Sequence, residues 1–256
     1  MRTARAATHL ELREHRGDYG FDGSLVGLCS IGTVGATVAS LGSVHRRSGH
    51  RWLSFLELSS AVVLFATMFI YLHTTRRGKF AVWAELLDGA QLKGDERVLD
   101  MGCGRGAILA MVAKLTSRGH AVGLDRWTAD QSGNDPGATL RNLDAERVSA
   151  RCELVTGDMT TLPFCDDSFD VVLSSVAIHN IDRHQPRSQQ RLHALDEAAR
   201  VLKPGGRLYI ADLAGISAYV GRLLELRMED VQQRSLGWRF WYGAGSGTKL
   251  VTATKP

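Results

Sequence analysis

Val98-Leu99-Asp100-Met101-Gly102-Cys103-Gly104-Arg105-Gly106 decides the fold. An apolar run ends in an acid, glycines follow at alternate positions, and an apolar stretch with helical period runs from Ala107 to Ser117. This predicts a buried strand that turns tightly into a helix. Glycines at 102, 104 and 106 leave no Cβ in the way, so the main chain can lie against a ligand at the carboxyl end of a strand. A pyrophosphate fingerprint spaces its glycines G-x-G-x-x-G to seat phosphate on the helix N-terminus. The G-x-G-x-G spacing here points to a ligand held differently.

Two more strands end in acids. His120-Ala-Val-Gly-Leu-Asp125 places Asp125 about 20 residues on, where nucleotide-binding α/β folds hold ribose hydroxyls. Glu153-Leu-Val-Thr-Gly-Asp158 is the third. Leu162-Pro-Phe-Cys-Asp-Asp-Ser-Phe-Asp-Val-Val-Leu-Ser174 leads into a fourth strand, and Arg200-Val-Leu-Lys-Pro-Gly-Gly-Arg-Leu-Tyr-Ile-Ala-Asp212 reads as a helix end, a turn and a fifth strand.

With Asp100 in front, the glycine run resembles the D-x-G-x-G-x-G signature of class I S-adenosylmethionine-dependent methyltransferases. The wording around 162–174 is similar to the methyltransferase type 11 group, which includes quinone-biosynthesis enzymes. The resemblance extends from near residue 80 to the last residue, 256. It implies a Rossmann-like α/β sheet of order 3-2-1-4-5-7-6 with strand 7 antiparallel, and S-adenosyl-L-methionine as cofactor. It also implies roles: Asp100 toward the ammonium of the cofactor's amino acid end, Gly102, Gly104 and Gly106 as its cradle, and Asp158 toward the adenine amino group. Met159 and Ser174 are further cofactor contacts in this reading.

A chain of 256 residues holds one α/β domain with room for more, and its core needs no covalent staples. Cys29, Cys103, Cys152 and Cys165 lack metal-ligand spacing, so reduced thiols and no metal site are expected. The net charge of +4 is modest and no basic stripe is interleaved with aromatics, which argues against nucleic acid as a partner.

Residues 1–22 read as an N-terminal tail, with Tyr19 and Phe21 placed either to cover the site or to anchor at a membrane surface. Residues 23–75 read as a transmembrane hairpin. Its spans are 24–44, which has no charge, and 52–72, interrupted only by Glu57; each has 21 residues, enough to cross hydrocarbon. Gly23 and Gly27 form a G-x-x-x-G step, and Gly35, Ala39 and Ser43 continue the small-residue spacing that lets helices approach closely. The joining loop, 45–51, is too short to be a domain. A cofactor made inside the cell places the catalytic domain, 79–256, in the cytosol of a two-pass cell-membrane protein, with Arg76, Arg77 and Lys79 at the inner surface. The loop's three arginines oppose that orientation. A signal peptide fails on length. A buried hairpin capping a soluble enzyme stays open, because Glu57 would cost about 2.5–3.5 kcal/mol at a bilayer centre.

Between the second and third acids lies a long polar loop, Arg126 to Gly137, where Trp127 is placed either to stack on adenine or to cover the helix behind it. Strand four ends in Ser174-Ser-Val-Ala-Ile-His-Asn180. His179 is the candidate catalytic base, since an imidazole takes a proton near neutral pH; the other reading makes it a helix cap. Trp238, Phe240, Trp241 and Tyr242 cluster in a connection on the same sheet edge, and two of the four are expected to face substrate or membrane. The function these features support is methyl transfer to a small, lipophilic acceptor at the bilayer. The alternatives are a thiol or arsenite methyltransferase, or a non-catalytic cofactor-binding protein of this fold.

Overall fold

The computed structural model describes residues 9–22, 25–128, 133–182, 188–242 and 247–256. Seven strands form one sheet: β1 (Arg97–Met101), β2 (His120–Asp125), β3 (Cys152–Thr156), β4 (Phe169–Ser175), β5 (Leu202–Asp212), β6 (Glu229–Ser235) and β7 (Lys249–Thr254). Their order is β3-β2-β1-β4-β5-β7-β6, and β7 runs antiparallel to β5. The expected topology is therefore observed. β1 lies between β2 and β4, covered on both faces, which is why it reads as an almost unbroken apolar run.

Strand alternation divides the core. Val98, Val171 and Leu173 face α4 (Lys79–Ala90) and α5 (Ala107–Leu115), while Leu99, Met101 and Val172 face α7 (Gln189–Val201) and α8 (Ile216–Glu225). Helix α6 (Pro136–Ala145) adds Leu143 to the first layer. Asp100, two residues from Val98, belongs to the α4–α5 side, the side from which the N-terminal elements approach.

Those elements are α1 (His9–Arg13), α2 (Leu25–Arg47) and α3 (Arg51–His73). The expected hairpin forms: α2 and α3 run antiparallel, with His45 Nδ1 2.7 Å from Glu57 Oε2. A Cβ added at Gly35 would stand 3.3 Å from Phe65, and one at Gly42 would stand 3.0 Å from Leu58. Gly23 and Ser24 lie outside the described residues. The two-span expectation is not confirmed. Among the described residues, one continuous helix, Arg51–Ala90, is long and apolar enough to cross a membrane. Gly, Ser, Thr and Ala dilute α2 below that mark. Only Ser54 and Ala61 of α3 are buried, while Trp52, Phe55, Val62, Val63 and Phe69 are exposed.

The N-terminal segment is corrected. Residues 9–22, read as tail, pack on the domain: Leu12 and Tyr19 are buried in its core. The His15 ring stacks on Phe80 at 4.1 Å, and Tyr19 Oη donates to Glu146.

Helices α3 and α4 are not separated by a linker. A π turn, Thr74–Gly78, carries one into the other, widening the helix by one residue per turn where it meets the loop at 238–241. Thr74 Oγ1 donates to the Trp241 carbonyl at 2.6 Å. Gly78 lies so close that an added Cβ would fall 1.8 Å from the Arg239 carbonyl oxygen. The helix is thereby keyed to the domain at one small residue. Gly78→Ala should cost about 1–3 kcal/mol of stability, as overpacking does. Gly89→Ala, on the same helix with nothing within 4 Å, should stabilise by about 0.5–1 kcal/mol. Thermal denaturation of the two variants in detergent checks the contrast.

Candidate active site

The turn between β1 and α5 is built as its glycines require. Gly102, Gly104 and Gly106 have φ of 74°, 51° and 79°. At Gly102 a Cβ would meet that of Ala177 at 2.3 Å, so the β4 loop closes directly onto the turn. Gly102 and Cys103 N–H groups both donate to the Leu124 carbonyl, at 2.8 and 3.1 Å, tying the turn to β2.

Around this turn lies a cavity of about 730 Å³. Asp100 lines it, with 2% of its surface exposed. Neither of its carboxylate oxygens has a hydrogen-bond partner. Burial, and then the charge of Asp125, push its pKa up to about 8. Asp125 organises its own loop: it accepts from Gly104 N at 2.8 Å, from Trp127 N at 2.7 Å and from Asn134 Nδ2 at 3.2 Å. Asp158 accepts from Thr160 N and Oγ1 and pairs with Arg126 at 3.1 Å. Gly102, Gly104, Asp125, Asp158 and Met159 all line the cavity.

Three expected cofactor contacts, Gly106, Ser174 and Trp127, are absent from the cavity lining; Gly106 is the N-cap of α5. Ser174 is buried, its Oγ donating to the Met101 carbonyl at 2.8 Å, where it ties β4 to β1; its neighbour Ser175 lines the cavity instead. One-residue alternation on a strand explains the exchange. Trp127, at φ 57°, packs against the core and donates from Nε1 to Thr156 Oγ1 at 2.7 Å. Arg126 and Thr128 line the cavity on either side of it. Residues 129–132 of that loop lie outside the described residues.

His179 lines the cavity from a short 3-10 turn, Ile178–Asn180. Its Nδ1 lies 2.6 Å from Asp212 Oδ1, and its backbone N–H donates to Asp212 Oδ2 at 2.9 Å. Asp212 is wholly buried at the end of β5 and also accepts from Tyr219 Oη at 3.1 Å. A carboxylate on Nδ1 fixes the tautomer and leaves Nε2 as the nitrogen able to take a proton. The helix-cap reading does not hold, because Ser188 caps α7 by accepting from Gln190 N.

At the far end of the cavity Tyr242 faces inward as expected of the aromatic cluster, but the Lys79–Asp22 pair was not foreseen, Lys79 having been placed at the inner membrane surface. Lys79 is buried and donates to both oxygens of Asp22, at 2.7 and 2.9 Å. Tyr242 Oη donates to Asp22 Oδ2 at 3.0 Å, and Tyr71 Oη to the Asp22 carbonyl. Burial, then the Asp22 charge, hold the Tyr242 phenol far above its usual range, so it remains a donor. Of the aromatic cluster, Phe240 is in the core, Tyr242 faces the cavity and Trp238 is exposed, 5.1 Å from the His73 ring. Residues 243–246 of that connection lie outside the described residues.

Residues 99–210 match the Methyltransferase domain family, Methyltransf_11. That segment is thus similar to the S-adenosylmethionine-dependent methyltransferase domains of this family. The chain is 34% identical over 139 residues to the ubiquinone/menaquinone biosynthesis C-methyltransferase UbiE of Ruegeria sp. (strain TM1040), covering 54% of this chain and 50% of that protein. It is 34% identical, over 53% of this chain and 49% of that one, to the chloroplastic 2-phytyl-1,4-beta-naphthoquinone methyltransferase of Arabidopsis thaliana. The chain thus spans about half the length of the curated relatives it matches. Geranyl diphosphate C-methyltransferase from Streptomyces coelicolor A3(2), solved with S-adenosyl-L-homocysteine, shares the fold at a TM-score of 0.56 and 16% identity, covering 73% of this chain and 83% of that one.

The cavity residues fit S-adenosylmethionine on their own chemistry. The unpaired Asp100 carboxylate supplies an anion for an ammonium, the glycine turn admits main-chain contact, and Asp125 keeps lone pairs for hydroxyl donors. A carboxyl held above its unfolded pKa binds a proton that the unfolded chain releases, so the cofactor-free protein should lose stability as pH rises from about 4 to about 8. Asp100→Asn should remove that slope and raise Tm at pH 8. It should also weaken S-adenosylmethionine by roughly 10- to 150-fold, the worth of one charge-assisted hydrogen bond. Scanning calorimetry and titration calorimetry read the two effects.

Proposed function

We propose that this methyltransferase is anchored in the cell membrane and methylates a small, lipophilic acceptor of the quinone type drawn from the bilayer. The observation that carries the reading is the cavity itself. It runs from Asp100, at the cofactor turn, past His179 to Tyr71, in the last turn of the apolar helix α3. An acceptor leaving hydrocarbon along α3 would therefore enter the end of the site opposite the cofactor.

The bound cofactor supplies an electrophilic methyl on a sulfonium leaving group. The chain's own residues position and desolvate: Asp100 holds the amino acid end, and Val176, Ala177 and Met159 keep water from the transfer path. His179 Nε2 takes the proton from the acceptor, and Asp212 stabilises the imidazolium that results. The Lys79–Asp22–Tyr242 cluster offers an ammonium and hydroxyls to an oxygen on the acceptor ring.

The packing supports a hairpin anchor with both ends on one side. Residues 9–22 and the domain share a core, so α2 and α3 must leave and return across the same surface. The cytosolic side is the one where the cofactor is made. Thiol or arsenite chemistry finds little support. Cys103 is the thiol lining the cavity, and burial, then Asp100, hold its pKa well above the ordinary thiol range, leaving it neutral and a poor nucleophile.

Two measurements test the proposal. Full-length protein should pellet with membranes and resist carbonate washing; protein left in the supernatant would defeat the anchor. Incubated with isotopically labelled cofactor and a membrane lipid extract, it should transfer label to a quinone-type lipid. His179→Ala should lower kcat by about 10²- to 10⁴-fold with cofactor affinity unchanged. Asp212→Asn should lower kcat in the same direction and shift the alkaline-rising limb of the pH profile, because the carboxylate no longer supports the imidazolium. An unchanged kcat in both would remove His179 from the reaction.

A further inference from the structure

A second cavity lies outside the methyl-transfer site, against α1, the ends of α5 and α6, and the junction of α3 with the domain. It is larger, about 1080 Å³, and its lining is lopsided in charge. Seven Lys and Arg side chains face it against three Glu. That excess of four equals the net charge of the whole chain, +4. The groove is therefore more basic than the chain as a whole, even though Arg239 is neutralised by Glu85 from outside the lining.

What distinguishes this groove from an ordinary solvated face is the pairing. Lys114 is held by Glu146 at 2.8 Å, and Arg239 by both oxygens of Glu85 at 2.6 and 2.7 Å. Arg13, Arg16, Arg77, Arg147 and Arg151 have no ion-pair partner among the described residues. Five guanidiniums on one cavity repel one another, and each carries a planar fork suited to phosphate. Arg147 sits at φ 60°, a left-handed position after α6 that a glycine would fill at lower cost.

The groove's position names the source of the phosphate. His73, the last residue of α3, lines it, and Trp238, 61% exposed, stacks on His73 at the groove's rim. An exposed tryptophan at the end of an apolar helix is the usual marker of the water–bilayer boundary. Arg77, one helical turn further on, faces the same groove.

We propose that this groove binds the headgroup of an anionic phospholipid, whose phosphate sits among Arg77, Arg147 and Arg151 while its acyl chains lie along α3. This rests on the membrane anchor proposed above. Bound lipid would hold the domain at a fixed height and tilt on the membrane, with the acceptor end of the methyl-transfer cavity turned toward the hydrocarbon.

The test uses full-length protein in nanodiscs of phosphatidylcholine alone or with phosphatidylglycerol, followed by detergent extraction and native mass spectrometry of the lipid retained. Wild type should keep phosphatidylglycerol in preference to phosphatidylcholine. R147G/R151Q should bind it about 30-fold more weakly, as expected for two cations near an anionic surface. Its Tm should stay close to wild type, since glycine suits the position of Arg147 and Arg151 is unpaired. R118Q, outside the groove, should behave as wild type. Equal retention of both lipids, or full phosphatidylglycerol binding by the double variant, overturns the proposal. So does displacement of the lipid by millimolar inorganic phosphate or by an RNA oligonucleotide, which would make the groove a site for a soluble anion. A chain that fails to enter even phosphatidylcholine nanodiscs defeats the anchor and this lipid together; one that enters without lipid preference defeats the groove alone.

Discussion

A carboxylate with both oxygens buried and neither hydrogen-bonded opposes folding, and the site is organised around one. Asp100 lies in the central strand with β2 and β4 on either side, so it cannot turn out to water. It can remain protonated at the expense of its acid strength, or it can meet a cation. Binding and ionisation are therefore linked: a ligand's ammonium restores the charge that burial suppresses. The turn that brings this ligand close also depends on the sheet, because the amides of Gly102 and Cys103 are held by a carbonyl of β2 and the space above Gly102 is closed by Ala177.

The acceptor end is assembled from outside the sheet. The segment at 18–22 is tied down by two ion pairs, Asp18 with Arg105 of the cofactor turn and Asp22 with Lys79 of α4, the second of which lines the cavity. Arg105 sits between two of the cradle glycines, so the same segment touches both ends of the site. Lys79 follows directly on the π turn, and Trp83, one turn on, donates to Ser175 in the cavity wall at 2.9 Å. Because α3 runs into α4 without a linker, the apolar helix and Lys79 in the cavity wall belong to one continuous helix.

The sheet and its cofactor edge were legible because they are written locally. β1, β2 and β5 carry an acid at or next to their carboxyl ends, Asp158 follows β3 closely, and period-two alternation with glycine turns marks these strands one segment at a time. The misreadings share a cause. Ser174 and Ser175 cannot be told apart without the register of β4 against β1, and Trp127 could be placed only by the sheet edge it packs on. Residues 9–22 look like tail because their composition is polar, yet two side chains, Leu12 and Tyr19, suffice to seat them. The Asp212–His179 pair was visible only as two separate strand ends, joined by β4 and β5 lying side by side. Lys79 with Asp22 had no signal: 57 positions separate them, and a hairpin of unknown course lies between.

The boundary of the family match falls along the same line. Asp100, the three glycines, Asp125, Asp158 and His179 lie within residues 99–210, whereas Asp22, Tyr71, Lys79, Asp212 and Tyr242 lie beyond it. The matched segment supplies what any methyl donor of this kind needs, and chemistry at a sulfonium leaves little room to vary it. The unmatched segments supply the walls, the polar cluster and the passage along α3. Walls of this kind set specificity, since a single change of size or hydrogen bonding discriminates between substrates without disturbing the cofactor. In this chain those walls also carry the apolar helix. The cavity wall at Tyr71 and Lys79 and the apolar helix are therefore one continuous piece of backbone, Arg51–Ala90, rather than two modules joined by a linker.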